Sequence, residues 1–304
     1  TPKKVKGVYL TSHSFASSKT RQAFIDLVER TELNTLVIDI QDSGGAFIFQ
    51  PQSQLLKKLP VNKAAFTPEA YKALLKDLQD RGIYTIARIV TFQDHAAATH
   101  LPDRGLKNHT GTLWKNWKGI TWLDMTNPKA WEIPVEKAKE AALLGFDEIQ
   151  FDYIRFPSDG PTGQAAYAYL GDQRKYEILA GFYEYAAQAL EPYNLPLSVD
   201  LFGLTYHYRL DKEHDMNIGQ RLADAAVYFD YISPMVYPSH YPSGYLKLAN
   251  PAAHPYAVVS KAMGDGNRIM AELGNVKAQS RPWIQDFDMG AHYDASMVRA
   301  QIKA

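Results

Sequence analysis

Short apolar runs alternate along the whole chain with longer stretches in which apolar residues recur every three or four positions. Seven runs rich in β-branched and aromatic residues read as strands, at 6–12, 35–41, 84–90, 148–156, 195–202, 231–237 and, more briefly, 281–285. Helical patterns fill the intervals at 20–32, 67–81, 129–144, 172–191, 219–228, 254–273 and 296–303. In the first, Phe24, Leu27 and Val28 share a face; in the second, Tyr71, Leu74, Leu75 and Leu78 do so behind a Thr67-Pro68 start that suits an N-cap and first turn. These stripes face a core and carry no chemistry.

Strand and helix in strict alternation predict a parallel sheet, and seven such units in 304 residues predict one α/β domain over 1–304, a (β/α)8 TIM-type barrel. The seventh helical pattern runs into Ala304, so the expectation is a barrel lacking its eighth strand. No repeat, linker or low-complexity segment divides it. Residues 91–127 and 238–253 read as long loops, and Trp114, Trp117, Trp122, Tyr237, Tyr241 and Tyr245 lie in or beside them. Such aromatics either stack on sugar rings or bury against the barrel as lids.

Charge breaks the apolar pattern at a few points. The block from Gly145 to Pro157 reads as a strand covered on both faces, yet it contains Asp152 and Arg155 near its C-terminal end, where barrels of this type place their chemistry. Asp39 and Asp42 follow the second strand, Arg88 lies in the third, Asp200 in the fifth, and Asp286 and Asp288 follow the seventh. Each has a structural alternative: Asp152 and Arg155 as an ion pair closing the barrel top, Asp200 as a loop cap, Asp39 and Asp286 as turn residues. Converging carboxylates suit glycoside hydrolysis, which needs one protonated acid for the leaving oxygen and one carboxylate to attack or to activate water, roughly 5–5.5 Å apart for retention or 6.5–9.5 Å for inversion. An arginine nearby keeps one of them ionised, while apolar surroundings raise the pKa of the other.

Composition removes several function classes. The 33 acidic and 33 basic side chains cancel, leaving no electrostatic footprint for nucleic acid and favouring a neutral or weakly charged ligand. No apolar stretch approaches the roughly 18 residues of a membrane span, and the Thr1-Pro-Lys-Lys start holds no signal-peptide core. The absence of cysteine excludes disulfides, thiolate nucleophiles and zinc–cysteine sites. Thr1 in place of an initiator Met tilts the expectation towards an exported bacterial product, in the periplasm, cell envelope or extracellular space. His13, His207, His214 and His240 are scattered without metal-ligand spacing, so no metal or cofactor is expected; His240 reads as a substrate contact. Gly44-Gly45 and the glycines of 264–266 are turns and not phosphate loops.

Together, Lys6-Gly-Val-Tyr-Leu-Thr, Asn34-Thr-Leu-Val-Ile-Asp-Ile, the Gly145–Pro157 block, Ser198-Val-Asp-Leu-Phe-Gly, Ser233-Pro-Met-Val-Tyr-Pro-Ser-His-Tyr and Arg281-Pro-Trp-Ile-Gln-Asp-Phe resemble a family of uncharacterised bacterial TIM-barrel proteins in the glycoside hydrolase class, related to the α-amylase-like superfamily. By position, the resemblance implies a nucleophile or base at Asp152, an acid/base at Asp200 and a further catalytic Asp at Asp286. Asp39, Arg88, Arg155, Tyr237, His240 and Trp283 would bind the sugar. The strand-five residue is usually Glu in the α-amylase-like pattern, and Gln150 stands where that pattern has Arg. The Gly145–Ile154 stretch is also similar to the strand-four block of family-18 chitinases, but Ile154 and Gln150 replace the acid and the middle Asp, which disfavours substrate-assisted chitin hydrolysis. The expected function is hydrolysis of an envelope or extracellular polysaccharide. The principal rival is a carbohydrate-binding barrel without chemistry, and a metal-dependent deacetylase is a third.

Overall fold

The computed structural model describes residues 4–207, 213–274 and 276–304, so the first three residues of the Thr1 start lie outside it. Seven parallel strands follow one another in a single sheet: β1 (Gly7–Leu10), β2 (Thr35–Asp39), β3 (Tyr84–Val90), β4 (Glu148–Asp152), β5 (Leu197–Phe202), β6 (Tyr231–Met235) and β7 (Gln279–Ser280). Each is followed by a helix: α1 (Ser18–Glu29), α2 (Pro68–Asp80), α3 (Pro128–Leu144), α4 (Lys175–Leu190), α5 (Leu222–Tyr228), α6 (Pro255–Leu273) and α7 (Ala295–Lys303). This is the TIM-type barrel of the sequence reading with seven strands. Among the described residues no eighth strand joins β7 back to β1.

The two faces of each strand separate structure from chemistry. Leu36 and Ile38, Ile149 and Phe151, Val199 and Leu201, and Ile232 point outwards into the main core under the helices, where Phe151, Phe182 and Phe229 pack edge to face. The alternate residues point inwards. Val37, Tyr84 and Ile86 form a small separate cluster with Trp283, while Asp39, Arg88, Asp152 and Asp200 line the rest of the interior towards the C-terminal ends.

Local chemistry sets the element boundaries. The Thr67 hydroxyl accepts from the Ala70 amide at 3.2 Å and Pro68 opens α2, as the sequence predicts. Gly145 closes α3 at φ +100°, a left-handed turn that glycine adopts without strain and that feeds the chain directly into β4. β7 starts two residues earlier than the sequence suggests, and its bonding runs further than its two regular residues. Arg281 and Trp283 donate to Ile232 and Pro234 of β6 at 2.8 and 3.0 Å. Pro282 falls on the alternate position, facing away from β6, where a missing N–H costs the ladder nothing.

The loop reading needs refinement. Residues 91–127 contain a short helix, His95–His100, and a double hairpin that turns once between Lys107 and Leu113 and again between Lys115 and Thr121. Trp114 and Trp122 are buried within it, whereas Trp117 at its tip is 77% exposed. Trp114 donates its indole N–H to the Pro161 carbonyl at 3.0 Å, and Asn116 donates to Asp159 at 2.7 Å, so the hairpin is fastened to the loop that follows β4.

Candidate active site

Five strands deliver ionisable groups to one point at the barrel mouth. Arg88, in β3, donates from Nη1 to Asp39 of β2 at 2.6 Å and from Nε to Asp152 of β4 at 3.0 Å, with Nη2 reaching the same Asp152 oxygen. A single guanidinium thus clamps two carboxylates, a geometry for which its planar fork is suited. Tyr9, in β1, donates its hydroxyl to the second oxygen of Asp39 and lies under Arg88 at 5.4 Å. Burial would lower the Arg88 pKa, but Asp152 and Asp39 raise it well above the ordinary value, which fixes the cation. Burial pushes Asp39 up despite Arg88 and Tyr9.

Asp200, in β5, is 2% exposed and has a different environment. One oxygen accepts from Gln150 Nε2 and from the Trp283 indole N–H, each at 2.8 Å. Burial, and then the negative charge of Asp152, raise its pKa well above the carboxylate range; Arg88, the Trp283 hydrogen bond and Arg281 oppose this only in part. Asp200 is therefore the proton-holding acid of the cluster. Gln150, which also donates to Ser233 at 3.1 Å, is a positioning residue for it.

Immediately after Asp152 the backbone of Tyr153 turns left-handed, φ +53°, and its amide donates to the other Asp152 oxygen at 2.5 Å. An aromatic residue in that region is strained, and such strain concentrates where a side chain must be held in place. Arg155 does not pair with Asp152. It stacks against Trp122, Tyr153 and Phe202, its carbon Cζ lying 5.1, 5.3 and 4.9 Å from the ring centres, and donates from Nη1 to the Phe156 carbonyl and to Ser158, both at 3.1 Å.

The remaining predicted residues sit at the rim. Tyr237 is half-buried, with its phenol pKa raised chiefly by burial; its ring contacts His240 at 5.3 Å and Phe287 at 5.4 Å. His240 shares a 3.0 Å hydrogen bond with Ser239, and burial lowers its pKa. Asp286 is exposed on the segment after β7 and does not join the Arg88 cluster. Asp42 and Asp288 serve local structure: Asp42 accepts from the Gly44 and Ala46 amides, and Asp288 from Tyr293 N and His292. Among the described residues no group of three or more His, Asp or Glu is arranged to hold a metal ion.

Sequence reasoning passed over Tyr9 and Tyr153. The alternation of β1 places Tyr9 on the inward face, and this was the available signal; the turn at Tyr153 had none.

Residues 7–304 match the model of a family described as "Putative glycosyl hydrolase domain". The chain belongs to that family. No curated protein matches it. Among solved structures, a hypothetical protein from Ruminiclostridium thermocellum is 33% identical, with a TM-score of 0.57 over 64% of this chain and 96% of its own. The PgaB (BpsB) glycoside hydrolase domain from Bordetella bronchiseptica is 13% identical, with a TM-score of 0.66, and covers 98% of this chain and 90% of its own. The α-galactosidase TtGalA from Thermus thermophilus is 14% identical, with a TM-score of 0.55 over 99% of this chain, which spans 56% of that protein. At those identities the last two show the fold, a TIM-barrel scaffold used by glycosidases.

Proposed function

We propose that this member of the glycosyl hydrolase family cleaves a glycosidic bond in a polysaccharide, with Asp200 as the proton donor and Asp152 as the nucleophile or base. What carries the reading is the contrast between two neighbouring carboxylates: Asp152 is bound by Arg88, while Asp200 is buried with its pKa raised. Opposed environments of this kind assign acid and base. Asp200 gives its proton to the glycosidic oxygen as the bond to the anomeric carbon breaks. Asp152 attacks that carbon, or takes a proton from the water that does. Arg88 and the Tyr153 amide hold Asp152 in line, while Gln150 and Trp283 orient Asp200. Tyr237, His240 and Trp283 form the wall against which the sugar lies, and Asp286 borders it. The substrate is an envelope or extracellular glycan, a location that fits a chain free of cysteine; fractionation that finds the protein only in the cytoplasm would remove this part.

The test is release of reducing ends from neutral, amino-sugar and acidic polysaccharides by the parent protein, Asp152→Asn and Asp200→Asn. Cleavage by the parent should fall about a hundred- to ten-thousandfold in Asp200→Asn and at least as far in Asp152→Asn. Equal rates in all three would end the assignment. Binding to a glycan without cleavage by the parent would favour the carbohydrate-binding barrel.

A further inference from the structure

Among the described residues, Arg155 is a guanidinium without a counter-ion: it is 8% exposed, yet none of their carboxylates lies within ion-pair distance of it. Its only hydrogen bonds run from Nη1, to a carbonyl and a serine hydroxyl, and three aromatic rings fix its plane. Nε and Nη2 have no partner among the described residues and are not sealed off from solvent. Buried arginines are ordinarily paired, because desolvation without an anion is expensive. In the same barrel Arg88 and Arg281 each have carboxylates bound directly.

Position gives this open edge a meaning. Tyr153 and Phe202 flank the C-terminal ends of β4 and β5, so Arg155 sits beside Asp152 and Asp200 at the mouth. Beside the Tyr153 phenol, the groups acting on its charge are Asp152, already held by Arg88, and Asp159, already held by Asn116. Asp200 keeps its proton and adds no repulsion towards an incoming anion. Beyond Asp159, the fastened hairpin carries exposed Lys115 and Lys118 on either side of the exposed Trp117, a cationic tip with a flat ring.

We infer that Arg155 is a subsite for a carboxylate borne by the substrate, making this a hydrolase of uronate-containing glycans. Nε and Nη2 present two parallel donors, the geometry that a carboxylate takes up in bidentate fashion, and the anion would relieve the desolvation that lowers the Arg155 pKa. Neutral hydroxyls would not offset the charge. Whole-chain neutrality, which pointed towards a neutral ligand, averages over this local site. The inference rests on the glycosidase reading for the location of the cleft, and the experiment separates the two.

Polygalacturonate, alginate and hyaluronan are each compared with their own carboxyl-reduced form, which keeps the linkage and replaces the carboxylate by a hydroxymethyl group. Binding is measured by calorimetry on Asp200→Asn, which leaves polymers uncut, and cleavage on the parent. At least one acidic polymer should bind roughly ten- to a hundredfold more tightly than its reduced form. That preference should weaken with salt, vanish in Asp200→Asn combined with Arg155→Gln, and persist in part with Arg155→Lys. No preference for any acidic form, or one unchanged by Arg155→Gln, overturns the subsite. Should Arg155→Gln misfold, Arg155→Lys decides: a preference undiminished by loss of the planar fork overturns the subsite. Cleavage of neutral glycans without acid preference rejects the subsite and leaves the hydrolase; acid-selective binding with no cleavage by the parent does the reverse.

Discussion

The barrel interior holds two arginine–carboxylate clusters, one at each end, and they are built on opposite principles. At the lower end Arg281 forks onto both oxygens of Glu148, which also accepts from Ser198 at 2.6 Å and Tyr84 at 3.2 Å. One cation meets one anion, and the neighbouring donors saturate it. At the mouth, one largely buried cation, Arg88, faces Asp39 and Asp152 directly and Asp200 at longer range. That excess of carboxylate can be kept buried only if one member holds a proton, and Asp200 is the one. A balanced cluster closes a barrel; an overloaded one stores a proton for transfer.

The sharpest way to break the comparison is to neutralise one carboxylate at each end. Asp152→Asn should lower the cleavage rate on the order of a thousandfold or more with little change in the unfolding transition, because it removes negative charge from an overloaded site. Glu148→Gln should do the opposite, costing about 3–5 kcal/mol of stability by leaving Arg281 buried without its counter-charge. Replacing both partners, Glu148→Met with Arg281→Leu, should recover most of that loss. Denaturant unfolding beside initial rates checks all three, and a destabilised Asp152→Asn with an unaffected Glu148→Gln would reverse the roles of the two ends.

Much of this architecture was legible because alternation is a local property. Seven strand positions and the Thr67 cap follow from period and turn chemistry, and Asp152, Asp200, Asp39 and Arg88 stand out as charges inside apolar runs. Which charges meet was not legible, since that depends on register between segments 49 to 64 residues apart. Arg155 and Arg88 look alike as charges inside apolar runs, yet Arg88 took the carboxylates while Arg155 turned into an aromatic cage. The difference arises at Tyr153: its left-handed turn carries the chain away from Asp152 before Arg155 is reached, and nothing in an aromatic residue announces such a turn.

Asp200 also links the comparison to stability. Unfolded, an aspartate ionises near pH 4; folded, Asp200 holds its proton to well above that. Between the two values the native state binds more protons than the unfolded one, so stability is greatest below about pH 4 and falls as pH rises towards the folded value. Asp200→Asn should therefore be more stable than the parent at pH 7 and no more stable at pH 3.5. Thermal unfolding at both pH values decides it, and an equal effect at each would mean that packing, not protonation, distinguishes the variant.

The smallest expected effect concerns the two donors on Asp200. The Trp283 indole and the Gln150 amide both bond the same oxygen, and the Trp283 bond favours the ionised form. Trp283→Phe removes that bond while keeping an aromatic ring in the wall, so Asp200 should hold its proton to higher pH. The rate at the optimum should drop by about tenfold or less, and the alkaline limb of the pH–rate profile should move upwards. Gln150→Met deletes the other donor at similar volume and should move the same limb in the same direction. A general loss of wall packing would lower the rate at every pH and leave the limb in place, so agreement between the two variants in the direction of the limb identifies Asp200 as the titrating acid. The corresponding change at the lower end, Ser198→Ala beside Glu148, should leave the pH profile untouched, because the cluster there is balanced and takes no part in proton transfer.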